Sequence, residues 1–503
     1  MKETSESTDP SVRDAPRAER SSGSSVFLFG LGALAVGTKN AVFGSFVLLY
    51  YNQVLGLEPV MAGLALALAL VVDAISDPFV GAWSDRVQSP LGRRHPFMYA
   101  SILPFSASVY FILQPPAGLD QNGLFLYLVV LAMAVRLSMT LYEVPRNALG
   151  PELTKDYEQR TTLYGIANVF GWLGAAALLA ISYGFLFPET ADYEGSRALL
   201  NPDGYNRMAW IAALTVFATT TLSTVGLQGQ IDRLYTPPKT QKMRAKELLQ
   251  EARETLANRS WLMIFFAGLV FALYIGLQSG TDSYYHVYFW EWVPVQIQMI
   301  PLVQMLAVVV CGLLAGRIAQ GKDKKSLAVA LFSATVVLGP IPVGLRLLSG
   351  YTGMMLMPAN GTDALWWILL AHTAVMSGLA VIGFILIGSM VADIVEESQE
   401  TTGRRSEGLL SAGPALAQKT MSAGGVFVIG ILLSSFGFND PNPTVESMQK
   451  PMQDLALFHV ILGVTLPIIS TILVSRYTIT REGHERRVQE LGYVETEEGA
   501  PTP

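Results

Sequence analysis

The chain has 503 residues, of which 51% are hydrophobic and 15% charged, against roughly 25% charged in an ordinary soluble protein. Its formal net charge is −6 and it holds one cysteine, Cys311. A soluble enzyme of this length is hard to reconcile with such values, and a disulfide framework is excluded.

In chain order, residues 1–25 are Ser-rich and charged, with no short apolar core ending at small residues. They read as a disordered tail rather than a cleavable signal. Apolar runs near the length of a spanning helix, roughly 17–25 residues, follow at 26–52, 59–83, 94–113, 123–145, 163–187 and 208–228. They resume at 260–284, 296–318, 326–347, 364–392, 409–437 and 455–478. The expected fold is an all-α membrane protein of twelve transmembrane helices. Two six-helix bundles, 26–228 and 260–478, are joined by a polar linker, 229–259, and followed by a tail, 479–503. Within the linker, 241–257 has the pattern of an amphipathic helix lying on the membrane surface. Twenty-seven of the 34 Lys and Arg residues fall on the side of the termini. Only Arg197, Arg207, Arg346 and Lys450 fall in loops on the other side. The positive-inside rule therefore places both termini in the cytoplasm, and a bacterial inner membrane is expected.

The halves rhyme. After the second run comes "GAWSDRVQSPLGRR" and after the eighth "GLLAGRIAQGKDKK"; after the fourth comes "GPELTKDYEQRT" and after the tenth "VADIVEESQETTGRRSEG". Parallel six-helix repeats about an axis along the membrane normal are the plan of major facilitator transporters, with pseudo-two-fold symmetry and a substrate held between the halves.

Charges inside the runs are few, and each demands a reason. In "DAISDPFVGAWSDR", Asp73 and Asp77 are four apart and share one helix face. Two such carboxylates cannot both ionise cheaply in a low dielectric. They must share a proton, pair with a cation of the chain such as Lys39 or Lys419, or bind a metal ion; Na+ prefers such oxygen ligands. Asp85, beside Arg86, Arg93 and Arg94, is expected to latch helix ends at the cytoplasmic face, with Asp393, Arg404 and Arg405 as its counterparts in the second half. In the fourth run, Arg136, Thr140, Glu143 and Asn147 form one polar stripe that should face a cavity, and Pro145 should loosen the helix near its inner end. Lys419 is the one charge of the eleventh run and needs a carboxylate partner. Competition between Lys419 and an ion for that partner would couple ion binding to helix movement. The seventh run extends into "GTDSYYHVYFWEW", where Tyr284 and Tyr285 could stack on a sugar ring, whereas Tyr288, Trp290 and Trp292 read as interface anchors. Asp282, His286 and His372 carry no assigned role. No P-loop, metalloprotease or nucleophile-elbow motif is present.

These residues resemble the glycoside–pentoside–hexuronide:cation symporters of the major facilitator superfamily, the melibiose permease family. "DAISDPFVG" resembles its cation-site signature and "TLYEVP" its Thr-x-x-acid-x-Pro element. "ADIVEESQETTGRRSEG" resembles the loop after the tenth span, and Lys419 falls where the family keeps a lysine. The resemblance implies a symporter driven by Na+ or H+, with no other cofactor. It implies a cation site of Asp73, Asp77, Thr140 and Glu143, coupled through Lys419. Lys39 is kept, but Asn40, Asn168 and Asn147 stand where the melibiose type has an acid, an arginine and a stacking tryptophan, and Arg136 is added. The implied substrate is then a saccharide other than a melibiose-like galactoside, conceivably an acidic one that pairs with Arg136. A lysolipid or other amphiphile is the alternative substrate; a non-transporting sensor is disfavoured, because neither tail has room for a signalling domain. The chain is expected to work as a monomer among membrane lipids, with no nucleic-acid partner.

Overall fold

A computed structural model describes residues 21–154, 157–231, 258–402 and 407–479. Arg404, Arg405 and the expected surface helix 241–257 lie outside them. Apolar runs must satisfy every backbone group internally in a membrane, so they form helices. The first half holds α1 (Gly23–Val54), α2 (Pro59–Arg86), α3 (His95–Phe111), α4 (Gln121–Leu153), α5 (Tyr157–Ile181) and α6 (Pro202–Gln228). The second holds α7 (Arg259–Gln278), α8 (Met299–Ala319), α9 (Lys324–Thr352), α10 (Asp363–Thr402), α11 (Glu407–Phe436) and α12 (Gln449–Ser475). Among the described residues, eleven helical segments are long and apolar enough to span a membrane. The twelfth, α3, has 17 residues, about 26 Å of helix, which still matches the hydrocarbon thickness.

Polar caps start several helices. Asp120 accepts from Gly123 N at 2.9 Å, Asn258 from Trp261 N at 2.9 Å and Asp323 from Ser326 N at 3.0 Å. Each satisfies one of the orphan donors of a helix N-terminus. Pro145 does not end α4, which continues through it and Pro151 to Leu153. The helix α10 outruns the expected 364–392 and extends to Thr402.

Helices approach closely where side chains are absent. A Cβ on Gly37 of α1 would lie 1.9 Å from the carbonyl oxygen of Gly171 on α5. Between the halves, a Cβ on Gly430 of α11 would lie 2.6 Å from Pro59 O and 3.0 Å from Gly63 Cα of α2. Small residues at such crossings let backbones meet, as membrane helix packing favours.

We call the face where α1 begins and α12 ends the terminal face, and the opposite one the far face. The two halves are sealed together at the far face. There α1 is broken by π turns at Val42–Phe46 and Tyr50–Val54, and a third, Tyr285–Phe289, follows α7. These wide turns direct polar groups sideways. Asn52, fully buried, donates to Phe438 O at 2.9 Å and accepts from Tyr284 Oη at 2.8 Å. Gln53 accepts from Tyr288 Oη at 2.8 Å, and its carbonyl accepts from Asn442 N at 2.6 Å. Gly280 N donates to Gly44 O at 3.0 Å, and Ser283 Oγ donates to Ser45 O. Around them, Phe46, Tyr51, Leu57, Leu433 and Phe438 form one buried apolar layer shared by both halves.

At the terminal face ion pairs among the described residues tie together elements of the same half. Arg94 pairs with Asp85 and donates to Ser84 Oγ at 2.6 Å, while Arg93 reaches Glu152 at 2.9 Å. In the second half Lys324 meets both oxygens of Asp393, at 2.7 and 2.9 Å, and Tyr477 Oη lies 3.4 Å from that carboxylate. The two arrangements correspond. A base after the second helix of the half holds an acid on its fourth, which gives the sequence rhyme a structural meaning. Asp85 thus ties the end of α2 to the start of α3 within the first half. Arg86 is exposed.

Candidate ion and substrate site

The in-membrane charges expected to work together meet where the halves join. Asp73 and Asp77 leave α2 one turn apart, and Thr140 of α4 stands between them. Its Oγ1 lies 3.2 Å from Asp73 Oδ1 and 3.0 Å from Asp77 Oδ1, and a hydroxyl has one proton to share between them. From α11, in the other half, Lys419 Nζ donates to Asp73 Oδ2 at 3.0 Å and to Asp77 Oδ2. A second cation closes the group: Arg136 Nη1, one turn from Thr140 on α4, lies 3.5 Å from Asp73 Oδ2. Ser76 Oγ is 3.4 Å from Thr140 Oγ1.

Access to the two carboxylates differs. The Asp73 side chain is 1% exposed and that of Arg136 14%, whereas Asp77 is 31% and Lys419 35% exposed. Asp77 and Lys419 are therefore partly open to solvent, while Asp73 is enclosed. Arg136 also stands over the Phe43 ring, 5.4 Å from its centroid, and Lys39, buried on α1, lies 5.8 Å from the same centroid. A cation over an aromatic face recovers part of its lost hydration.

Other expected residues fall elsewhere. Glu143 is half-buried and lies within electrostatic reach of Lys39 and Arg136. Among the described residues it makes no hydrogen bond or ion pair, and no three His, Cys, Asp or Glu side chains gather as a metal-ligand set. Asn147 accepts from Arg146 Nη2 at 2.8 Å. Asn40 and Asn168 are exposed on α1 and α5, and an amide in mid-span is far better placed towards a watery cavity than towards lipid. Tyr284 and Tyr285 are not brought to the charged cluster. Both are buried at the far face, Tyr284 on Asn52 and Tyr285 edge-on to Phe289. The distance from Lys39 along α1 to Asn52 is about 20 Å. His372 contacts Leu338 O at 3.0 Å and belongs to packing within the second half. The sequence reading passed over Asn52, Gln53, Glu152 and Lys324. The first two were visible as an Asn-Gln pair interrupting an apolar run.

This arrangement can hold a cation between carboxylates and exchange it for an ammonium, and nothing in it combines a nucleophile with a base. The profile of the family described as MFS/sugar transport protein matches residues 28–481. An uncharacterized symporter of Synechocystis is 24% identical, covering 92% of this chain and 95% of its own length. An isoprimeverose transporter of Lactiplantibacillus pentosus is also 24% identical, covering 82% of this chain and 80% of its own. Among solved structures, a D-xylose–proton symporter superposes with a TM-score of 0.60 at 14% identity, covering 89% of this chain and 96% of that one, a likeness of fold. The chain belongs to the MFS/sugar transport protein family, as a multi-pass membrane transporter of the glycoside–pentoside–hexuronide symporter type.

Proposed function

We propose that this protein carries a saccharide across the membrane by alternating access, coupled to a cation, Na+ or H+, that enters at Asp73 and Asp77. The observation that carries the reading is the bridge from Lys419, on one half, to both carboxylates on the other. A cation that took the place of the ammonium would release one half from the other and so bias their relative position. That bias extends only as far as the ion binds the two positions unequally. Thr140 would remain as a neutral oxygen ligand. Glu143 would have to turn inward to join.

The positive-inside bias makes the terminal face cytoplasmic. The closed far face then corresponds to an inward-facing carrier, with Asp77 and Lys419 reached from the cytoplasm. Asn40 and Asn168 are the candidate sugar contacts in that cavity. Names of relatives that carry isoprimeverose and xylose support a saccharide over a lysolipid. Arg136 is turned to Asp73, so it is not counted among the sugar contacts.

The test is thermal unfolding of the purified protein in choline, Na+, Li+ and K+ at two pH values, for wild type and Asp77→Asn, followed by uptake into vesicles. Saturation of a site at about 100 times its dissociation constant adds roughly 2.7 kcal/mol to the folded state. Stabilisation by Na+ or Li+ that Asp77→Asn removes is expected for sodium coupling, and a pH effect removed by the same change for proton coupling. Neither effect, together with sugar uptake indifferent to both gradients, would overturn the reading.

A further inference from the structure

The two carboxylates of the cluster do not have equivalent partners. Asp73 shares Lys419 with Asp77, at 3.0 Å, but it alone is also met by Arg136, at 3.5 Å, and Asp73 and Arg136 both belong to the first half, on the neighbouring helices α2 and α4. Asp77 is held by Lys419, which belongs to the second. When the halves move apart, Arg136 travels with Asp73 and Lys419 does not travel with Asp77. The exposures agree: the Asp73–Arg136 pair is walled in at 1% and 14%, and the Asp77–Lys419 pair is open at 31% and 35%. Arg136 is further fixed by the Phe43 ring beneath its guanidinium. An arginine does not give up its proton in proteins, so this charge is permanent.

We propose that Arg136 is a resident counter-ion that satisfies Asp73 in every step, leaving Asp77 as the one carboxylate whose charge is exchanged between Lys419 and the coupling cation. The inference rests on the symport reading above and adds to it. It makes Arg136 a positioning and affinity-setting residue that touches neither ion nor sugar, and it fixes the exchange at one charge per cycle. The other charged groups facing the cluster are Lys39 from α1 and Glu143 from α4. Neither lies within ion-pair distance of Asp77 among the described residues.

The test uses the full chain in lipid nanodiscs, with thermal unfolding followed against Na+, Li+ and pH. Arg136→Gln should tighten the response of the cluster by roughly 10- to 1,000-fold in apparent Kd, or raise the pH midpoint of a proton response by about 1–3. That is the range by which a nearby opposite charge changes a carboxylate's affinity for a cation. Arg136→Lys, which keeps the charge, should stay close to wild type, and a merely structural arginine would not sort the two variants this way. Should Arg136→Gln fail to fold, Asp73→Asn with Arg136→Gln removes both members of the pair. That double variant should recover part of the ion response that Asp73→Asn alone loses. A wild-type response that Asp77→Asn abolishes, with the midpoint unmoved in Arg136→Gln or with no recovery in the double variant, would overturn the inference while leaving the symport reading intact. No ion or pH response in the wild type would overturn both.

Discussion

Removal of the ammonium that joins the halves gives the sharpest test of the exchange. Lys419→Met leaves Asp73 with Arg136 at 3.5 Å and Thr140 at 3.2 Å, whereas Asp77 keeps only Thr140, at 3.0 Å. Loss of one partner of a fully buried pair costs about 3–5 kcal/mol. Here the orphaned carboxylate is 31% exposed, so water takes up part of its charge and about 1–3 kcal/mol is expected. The loss should be largest in choline at neutral pH. It should shrink as Na+, Li+ or protons rise, because the cation now binds Asp77 without displacing a competitor. Wild type and Lys419→Met are compared by thermal unfolding across ion concentration and pH, with binding measured calorimetrically. The expected result is a variant less stable without the ion and more strongly stabilised by it. An equal loss of stability at every ion concentration and pH would refute the competition, and so would a variant that no longer responds while the wild type does.

Other outcomes follow from the packing. Gly430→Leu should prop the far face open, since even a Cβ there meets Pro59 O at 2.6 Å. With Cys311 replaced, a cysteine at Tyr284 should then be labelled from outside, and unchanged labelling would count against the seal. Tyr284→Phe removes the 2.8 Å donor to the buried Asn52 Oδ1, which still accepts from Gln53 Nε2, and should cost about 0.5–1.5 kcal/mol; a melting temperature equal to wild type would contradict this. Gly37→Val must force α1 away from the Gly171 carbonyl and should destabilise by about 3 kcal/mol or more, read as lost monodisperse protein on gel filtration. Asp393→Asn removes the partner of Lys324 and should lower thermal stability while leaving the ion-dependent increment in place. A lost increment would tie the terminal-face pair to the ion site.

The charged cluster was legible because charge is rare in these runs: Asp73, Asp77, Thr140, Arg136 and Lys419 stood out against their neighbours and do meet. Periodicity placed the first two on one face, and the cost of an unpaired lysine predicted a carboxylate for Lys419. The misplaced residues have a common cause. Tyr284 and Tyr285 were chosen by residue type, as rings able to stack on a sugar, and residue type does not say that the π turn at Tyr285–Phe289 packs them into the seal at the far face. Asn52 meets Tyr284 across 232 positions of chain, and no local spacing encodes such a pairing. Glu152 and Lys324 were in plain view within loop sequences, yet their partners became evident only once each half had folded on itself.

The cluster sets three acids, Asp73, Asp77 and Glu143, against three bases, Lys39, Arg136 and Lys419. In their ordinary ionised forms their charges cancel, so on the proposed symport cycle the unloaded carrier would reorient without moving net charge through the membrane. A membrane potential does about 2.3 kcal/mol of work per elementary charge per 100 mV. With a neutral sugar, that work would fall on the loaded step alone, so voltage should drive the inward passage of cargo while the empty return runs at a rate indifferent to it.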